Sequence, residues 1–301
     1  MDKKKAFEFK DRLIKGITTD GHFKISVVKT SDLVKEAKER HGLSLLNTII
    51  LGRALTATML LASELKGEER IRLRMEGDGP IGSLIAEANS LGEVRGYVAN
   101  PTVELNYTDS STTFGEGLGL GVLTFSKTLY NEAEPRTSTI QLINGDVTSD
   151  IAHYLAQSEQ IDSALILGVG MSNEGDVTEA GGLLIQKLPD APEGQIDMLQ
   201  ERLASFPAVH KFFEDEQYID DVMHKVMSPI KVKELSRQLV DFFCRCNKDR
   251  FLNALSMLNY DDLKDMKGES QEIVCQYCNN RENISKKEIA ELITSAKAKL
   301  N

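Results

Sequence analysis

The chain has 301 residues, and 36 lysines and arginines against 46 aspartates and glutamates give it a formal charge of −10. Its apolar fraction of 41% is enough for a packed core and excludes a chain that is disordered throughout. The acidic balance argues against nucleic acid or a membrane as partner, because these surfaces repel a chain without a basic patch. No apolar stretch with a cleavage site follows the charged residues 2–5, so we expect a cytoplasmic protein with reduced thiols.

The N-terminal region predicts a β-hairpin followed by a helix. The segments 12–17 and 23–29 flank Thr19-Asp20-Gly21, a sequence typical of a tight turn. Thr30 or Ser31 is expected to cap a helix that ends near Gly42.

The next segment, Leu43–Ser63, has the length of a membrane span, with 21 residues and a single charge at Arg53. A guanidinium near the bilayer centre costs at least about 2.5 kcal/mol. Polar side chains also dilute the segment, so we expect a buried helix of a globular domain.

From about Arg70 to Gln186 most of the signals are those of β-strands. Ile71, Leu73 and Met75 alternate with charged residues, which predicts a sheet with one solvated face. A helix is expected over 147–157. The other predicted strands are 96–99, 103–107, 121–126, 137–143, 164–169 and 183–187. The predicted fold class is therefore α+β, with mixed sheets and buried helices.

A proline- and glycine-containing cluster at 188–194 indicates the end of the first domain. We therefore expect an α+β core domain at 1–188, an amphipathic helical linker at 189–240 and a small C-terminal domain at 241–301. Apolar residues in the linker have helical spacing, and they form two stripes: Ile196, Leu199, Leu203, Phe206 and Val222, Met223, Val226, Met227. The stripes fit ordinary core packing, and they also fit an apolar face that is covered only under some conditions.

The only four cysteines are clustered near the C-terminus as C-x-C and C-x-x-C: Cys244, Cys246, Cys275 and Cys278. Two closely spaced thiol pairs supply four sulfur ligands, the set that tetrahedral zinc prefers. A purely structural zinc site and a reactive one both fit this pattern. Permanent disulfides are disfavoured in a reducing compartment.

The C-x-C pair favours a reversible role, because a disulfide between residues i and i+2 closes a small, strained and reducible ring. Basic residues flank the four cysteines and are expected to favour thiolate over thiol: Arg245, Lys248, Arg250 and Arg281. An oxidant that attacked zinc-bound thiolates would release the metal. The small C-terminal domain would then lose most of its stability.

No motif in the chain predicts an active site. Gly77-Asp78-Gly79-Pro80-Ile81-Gly82 matches G-x-G-x-x-G, but Pro80 removes a backbone donor from the loop that would have to bind phosphates, so a tight turn is the better interpretation. The five histidines show no metal-ligand spacing, and no nucleophile elbow is present. We therefore do not expect an enzyme.

Seven further segments, like the cysteine pattern, occur in the order in which a known protein family has its motifs. They are Gly52-Arg53-Ala54-Leu55, Gly77–Gly82, Val94-Arg95-Gly96-Tyr97-Val98, Gly145-Asp146-Val147, Ser158-Glu159-Gln160, Leu167-Gly168-Val169 and Ala180-Gly181-Gly182-Leu183. With the cysteines and Arg250–Leu255, they resemble the heat-shock protein 33 family, the redox-regulated holdase chaperones of bacteria. The resemblance covers about residues 10–280.

This resemblance implies a function as well as a domain order. The reduced form would hold one zinc ion per chain on Cys244, Cys246, Cys275 and Cys278 and would be inactive. Oxidation would form the disulfides Cys244–Cys246 and Cys275–Cys278, release zinc and disorder the linker. The active form, a homodimer, would bind unfolding or oxidatively damaged proteins without ATP and prevent their aggregation.

Two other functions remain open from the residues alone. One is a constitutive zinc-binding adaptor with a purely structural metal. Its charge gives little support for nucleic-acid contact, because residues 244–301 carry 10 basic and 9 acidic side chains, a net charge of +1. The other is a thiol–disulfide oxidoreductase that uses Cys275 and Cys278, although the sequence around them lacks the βαβ setting of that chemistry.

Overall fold

The structure, a computed structural model, describes residues 10–105, 113–204, 211–214 and 218–300, without the side chains of residues 212, 214, 299 and 300. The chain divides into two compact units, Met1–Phe243 and Cys244–Asn301.

The first unit begins with the predicted hairpin, formed by β1 (Arg12–Thr18) and β2 (Phe23–Lys29). Gly21 has a φ of +77°, a conformation that glycine adopts without strain and that allows the tight turn. The predicted helix follows as α1 (Ser31–His41) and ends at Gly42, which is also left-handed. The predicted hairpin and the predicted helix are both confirmed, but the predicted cap is not, because Thr30 makes no side-chain capping bond.

Helix α2 (Leu45–Ala62) is the predicted buried helix. By length and composition it could cross a membrane, but 83% of it is buried inside the protein. Ser44 caps it by accepting a hydrogen bond from the Asn47 N–H at 3.2 Å. The hydroxyls of Thr56 and Thr58 donate to backbone carbonyls one turn earlier, both at 2.7 Å, so these polar groups are satisfied within the core.

Two sheets enclose α2, which contacts strands of both. The first has the order β11-β5-β4-β3-β6-β7 and is antiparallel except for the parallel pair β11–β5. Its strands are β3 (Arg70–Gly77), β4 (Ser83–Asn89), β5 (Glu93–Val98), β6 (Gly121–Thr128), β7 (Arg136–Gln141) and β11 (Asp241–Phe242). Ile71, Leu73 and Met75 point into the core, as the alternation predicted.

The second sheet has the order β10-β1-β2-β9-β8 and is antiparallel throughout. Its other strands are β8 (Ser163–Met171), β9 (Val177–Lys187) and β10 (Val232–Leu239). Helix α3 (Val147–Tyr154) lies between β7 and β8 in the sequence and continues into a π-helical turn (Leu155–Glu159). These elements confirm the helix predicted over 147–157.

Three helices cover the outer face of the second sheet: α4 (Gln195–Ala204), α5 (Lys211–Glu214) and α6 (Ile219–Met227). Their apolar residues form one buried cluster with Ile14, Phe23, Ile25 and other residues of that sheet. Both predicted apolar stripes are therefore packed here, except that Phe206 lies outside the described residues.

One predicted helix and one predicted strand are wrong. Helix was predicted as far as Val240, but Val232–Leu239 forms the edge strand β10 and pairs with β1 over its whole length. A strand was predicted over 103–107, but residues 103–105 are irregular. Residues 106 and 107 lie outside the described residues.

The second unit contains three helices and a two-stranded sheet. They are α7 (Lys248–Leu255), α8 (Tyr260–Asp265), β12 (Gln271–Val274), β13 (Arg281–Ile284) and α9 (Lys286–Leu300). The helices predicted near 249–258 and after Ser285 are both present.

Candidate metal centre

The second unit places all four cysteines together. Cys244 and Cys246 lie in the irregular segment just before α7, whose first turn is capped by the Asn247 side chain. Cys275 follows β12 directly, and Cys278 lies in the turn that leads to β13. The chain therefore brings two separate thiol pairs to one point.

Backbone hydrogen bonds fix the turn between β12 and β13. The Cys275 N–H donates to the Asn280 carbonyl at 2.9 Å, and the Asn279 N–H donates to the Cys275 carbonyl at 2.8 Å. Asn279 takes a left-handed conformation with a φ of +55°, which asparagine tolerates better than most residues. This tight turn keeps Cys275 and Cys278 close to each other.

The four Sγ atoms lie within 4.8 Å of one another. The Sγ–Sγ distances are 3.8 Å between Cys244 and Cys275 and 3.3 Å between Cys246 and Cys278. A tetrahedral ion with metal–sulfur bonds of about 2.3 Å separates its sulfur ligands by about 3.8 Å. The four thiols therefore fit a single tetrahedral metal ion.

Burial dominates the acid–base properties of the cluster. Cys275 and Cys278 are 9% and 2% exposed. Burial raises the pKa of the Cys278 thiol well above its ordinary value, and it also raises the pKa of Cys246, with the neighbouring sulfurs contributing to both shifts. Without a cation these two groups are neutral thiols, and a metal ion that binds here must displace their protons.

The expectation that flanking basic residues favour the thiolate is therefore wrong for Cys246 and Cys278. Two of those residues have other partners, since Lys248 pairs with Glu288 at 2.8 Å and Arg281 pairs with Glu272 at 3.0 Å. Desolvation of the thiols is the largest cause of both shifts.

The G-x-G-x-x-G segment forms the tight turn between β3 and β4 that its sequence predicted. The Gly77 N–H donates to the Gly82 carbonyl at 2.9 Å, and Gly82 has a φ of +74°. A Cβ added at Gly79 would lie 2.6 Å from the Gly117 carbonyl oxygen, so the turn packs closely against the backbone of the neighbouring segment.

Asp11, just before β1, is a buried carboxylate that was not predicted from the sequence. The Leu33 N–H donates to Asp11 Oδ2 at 2.8 Å, so Asp11 caps α1 where the Thr30 side chain makes no capping bond. The other oxygen, Oδ1, has no hydrogen-bond partner. Burial raises the pKa of Asp11 to about 7. A cap from a residue so distant in sequence leaves no local signal.

A second missed feature connects β10 to α6. Arg237 donates to Asp220 in the first turn of α6 at 2.8 Å and to Glu234 of its own strand at 2.6 Å. Glu234 and Asp220 raise the pKa of the Arg237 guanidinium further. The strand was predicted as a helix, and for that reason this contact was not anticipated.

A two-sheet α+β unit followed by a four-cysteine unit is the arrangement of a chaperone family. A family model described as "Hsp33 protein" matches residues 11–285. The chain belongs to this family, as the resemblance predicted, and its relatives are named chaperonins, a non-enzymatic role. Membership implies that the chain binds client proteins.

Individual relatives agree with this assignment. The 33 kDa chaperonin of Carboxydothermus hydrogenoformans is 39% identical over 284 residues, which cover 93% of this chain and 97% of the relative. That of Desulforamulus reducens is 35% identical over 286 residues, with 94% and 97% coverage. The crystal structure of the 33 kDa chaperonin (heat shock protein 33 homolog) from Thermotoga maritima superposes with a TM-score of 0.87 at 33% identity, covering 96% of this chain and 99% of that one.

Proposed function

We propose that the chain is a redox-regulated, ATP-independent holdase whose four cysteines hold one zinc ion in the reduced state. The observation that carries this proposal is the cluster of four sulfur atoms in a unit with little other core. Zinc is the expected ion, because four thiolates form a soft, tetrahedral donor set. When bound, zinc would compensate the thiolate charges and tie the two cysteine pairs together.

Oxidation is the proposed signal. Each pair of thiols loses two electrons and two protons to a peroxide, which is reduced to two water molecules while one S–S bond forms. The family resemblance supports the pairs Cys244–Cys246 and Cys275–Cys278. The Sγ atoms of Cys246 and Cys278, which belong to different pairs, lie 3.3 Å apart, and all four Sγ atoms lie within 4.8 Å of one another. Each disulfide removes two thiolates from the ligand set, so oxidation of both pairs would release the metal.

Strands β10 and β11 join the helices α4–α6 to the second unit, Cys244–Asn301, which we call the cysteine unit. The backbone N–H groups of Val240 and Phe243 donate to Asp11 and Val94 at 3.1 and 2.9 Å, and Cys244 follows directly. We expect β10 to fray when the next segment unfolds, because five consecutive residues from Lys233 to Arg237 are exposed and contribute little apolar burial. Arg237 would then leave Asp220, and α6 would lose this anchor.

Release of α4–α6 would expose the client surface that we propose. The face beneath them carries Ile14, Phe23, Ile25, Val27, Leu183 and Ile185. Buried apolar residues of this kind bind unfolded chains once they are uncovered. Met223 and Met227 of α6 add flexible, polarisable side chains that suit varied partners.

In this proposal, residues 1–188 form the chaperone core, 189–240 the linker and 241–301 the redox switch. The active form is a homodimer in the cytoplasm, and its partners are unfolded proteins rather than nucleic acid or membranes.

The test compares one preparation in two states. Reduced, zinc-loaded protein is treated with peroxide at elevated temperature while a chromogenic chelator reports zinc, and light scattering of a denatured client is then recorded. We expect one zinc per chain to leave as thiols disappear, and only the oxidised sample to suppress aggregation. A zinc ion that stays bound, or leaves without a gain in activity, would contradict the switch and favour the constitutive adaptor.

A further inference from the structure

A row of arginines lies on the outer face of the six-stranded sheet. Arg70, Arg72 and Arg74 alternate along β3 with the buried Ile71 and Leu73. All three arginines are exposed. Residues two apart in a strand are about 6.8 Å apart, so the row presents three cations at a regular spacing.

Two members of this arginine row have no ion-pair partner among the residues that the structure describes. Arg74 bonds to Glu76 at 2.5 Å. Glu87 lies opposite Arg72 in the strand register, but it pairs with Arg95 at 3.0 Å. In the parts of the chain that the structure describes, Arg70 and Arg72 make no ion pair and no side-chain hydrogen bond. Their guanidinium groups are therefore available to a ligand.

Hydroxyl groups border the row on its other side. The strand register places Thr124 beside Arg74 and Ser126 beside Arg72. These hydroxyls contact those of Thr139 and Thr137 on β7, both at 3.1 Å. The outward-facing residues of β6 and β7 include no acidic and no aromatic side chain: Val122, Thr124, Ser126, Thr128, Thr137, Thr139 and Gln141. The neighbouring carboxylates of Glu76 and Glu87 are paired with Arg74 and Arg95, which leaves the charges of Arg70 and Arg72 uncompensated by an ion pair with any described residue, within a chain of net charge −10.

We propose that the arginine row binds acidic, extended segments of unfolded client proteins. An extended polypeptide also places alternate side chains on one side at about 6.8 Å, so carboxylates at positions i, i+2 and i+4 match the spacing of the row. A guanidinium binds a carboxylate through two parallel hydrogen bonds, which gives preference over neutral segments. The biological role of this binding rests on the holdase function proposed above, but the binding itself does not.

An acidic peptide fits this surface better than a nucleic acid does. Single-stranded nucleic acids bind through aromatic stacking as well as charge, and the outward residues of β3, β6 and β7 include no aromatic ring. The overall negative charge also repels a long polyanion more strongly than a short peptide segment. Since the row belongs to the first unit, it should be present in both redox states.

The test measures binding of fluorescent peptides to the reduced, metal-bound full chain. One peptide alternates glutamate with threonine, and a second has the same composition with the glutamates at one end. The variant is Arg70→Gln with Arg72→Gln. The matched control, Lys231→Gln with Lys233→Gln, removes two exposed positive charges, one just before β10 and one on it, away from the six-stranded sheet. We expect the arginine variant to bind the alternating peptide about three- to tenfold more weakly and the control to bind it like the native chain.

Two further arms make the result decisive. Arg72→Lys keeps the charge but loses the bidentate geometry, so we expect an intermediate affinity. Equal binding by the arginine variant and the control overturns the proposal, as does equal binding of the two peptides. A single-stranded oligonucleotide or inorganic polyphosphate that binds through Arg70 and Arg72 more tightly than the peptide would assign the row to another class of ligand. A failure of the oxidative switch would leave these peptide results unchanged, so the two proposals are tested separately.

Discussion

The two units of this chain are stabilised in different ways. The first buries an extensive apolar core around α2 and a second cluster beneath α4–α6. Among the described residues of the second unit only five are buried, and two of them are metal-ligand candidates: Leu263, Cys275, Cys278, Ile284 and Ile289. Helix α7 buries none of its residues. The first unit is therefore stabilised by apolar packing. We expect the stability of the second unit to depend on a metal ion bound to its cysteines.

In the proposed function, this difference would let a single chain combine a stable scaffold with a unit that responds to oxidants. Apolar burial is not removed by an oxidant, whereas a thiolate–metal cluster is. The unit with the smaller core can thus unfold while the larger one persists, which is a local transition of the kind that folded proteins support.

Metal removal should have the largest effect and should separate the two units. Structural zinc contributes on the order of 10–16 kcal/mol to small domains. When a chelator strips the reduced protein, we therefore expect amide protection to be lost in β12 and β13 and retained in α2. Hydrogen exchange followed by mass spectrometry measures both regions in one sample. Continued protection of β12 and β13 without metal would show that their apolar contacts suffice.

A core truncation should produce the opposite pattern. Leu55 is fully buried in α2, and Leu55→Ala should lower the free energy of unfolding of the first unit by about 2–5 kcal/mol. Metal affinity should not change, because the cysteines lie in the other unit. Leu120 is 72% exposed, and Leu120→Ala is the control, with an expected effect within about 0.5 kcal/mol. Weaker metal binding by Leu55→Ala would contradict separate stabilisation of the α2 core and the metal centre.

Asp11 adds a pH dependence that is confined to the first unit. Its pKa is raised from 3.8 to about 7, so the protonated carboxyl stabilises the fold fully below about pH 4, and this contribution is lost as the pH rises to about 7. Asp11→Asn keeps an oxygen that can accept the Leu33 N–H bond and carries no charge. We expect it to be more stable than the native chain at about pH 8, by up to about 4 kcal/mol, and equally stable near pH 4.

Urea unfolding of the first unit, followed by circular dichroism at several pH values, checks this expectation. A stability difference that does not change with pH would show that Asp11 is charged throughout the range.

The smallest expected effect concerns the contact between β10 and α6. Arg237 and Asp220 are 44% and 38% exposed, and exposed pairs contribute about 0.2–1 kcal/mol. Arg237→Gln should therefore speed amide exchange in α6 about two- to fivefold in the reduced, metal-bound protein. Lys233→Gln, on the same strand, is the matched control. If both variants exchange alike, Arg237 does not anchor α6.

Much of this architecture could be predicted from the sequence because its signals are local. The alternation around Ile71 fixes which face of β3 is buried, and the uninterrupted apolar run of α2 marks a core helix. Four cysteines in two close pairs indicate a shared centre, since their chemistry is specific even without distances.

The remaining features depend on contacts between distant segments. In β10, Val232, Leu235 and Leu239 have a spacing that also fits a helix. Only the pairing with β1 selects the strand, and it leaves Leu235 and Leu239 54% and 40% exposed. The raised pKa values of Cys246 and Cys278 follow from burial, which flanking charges in the sequence do not reveal.

Hydrogen exchange in α4–α6, compared before and after oxidation of the same metal-loaded protein, tests the central claim most directly. The claim is that loss of order in the cysteine unit uncovers the apolar face of the five-stranded sheet. We predict that β12, β13 and α4–α6 lose protection together as aggregation of a client is suppressed, while α2 stays protected. Suppression of aggregation with α4–α6 still fully protected would contradict the account, because the proposed client surface would then remain covered.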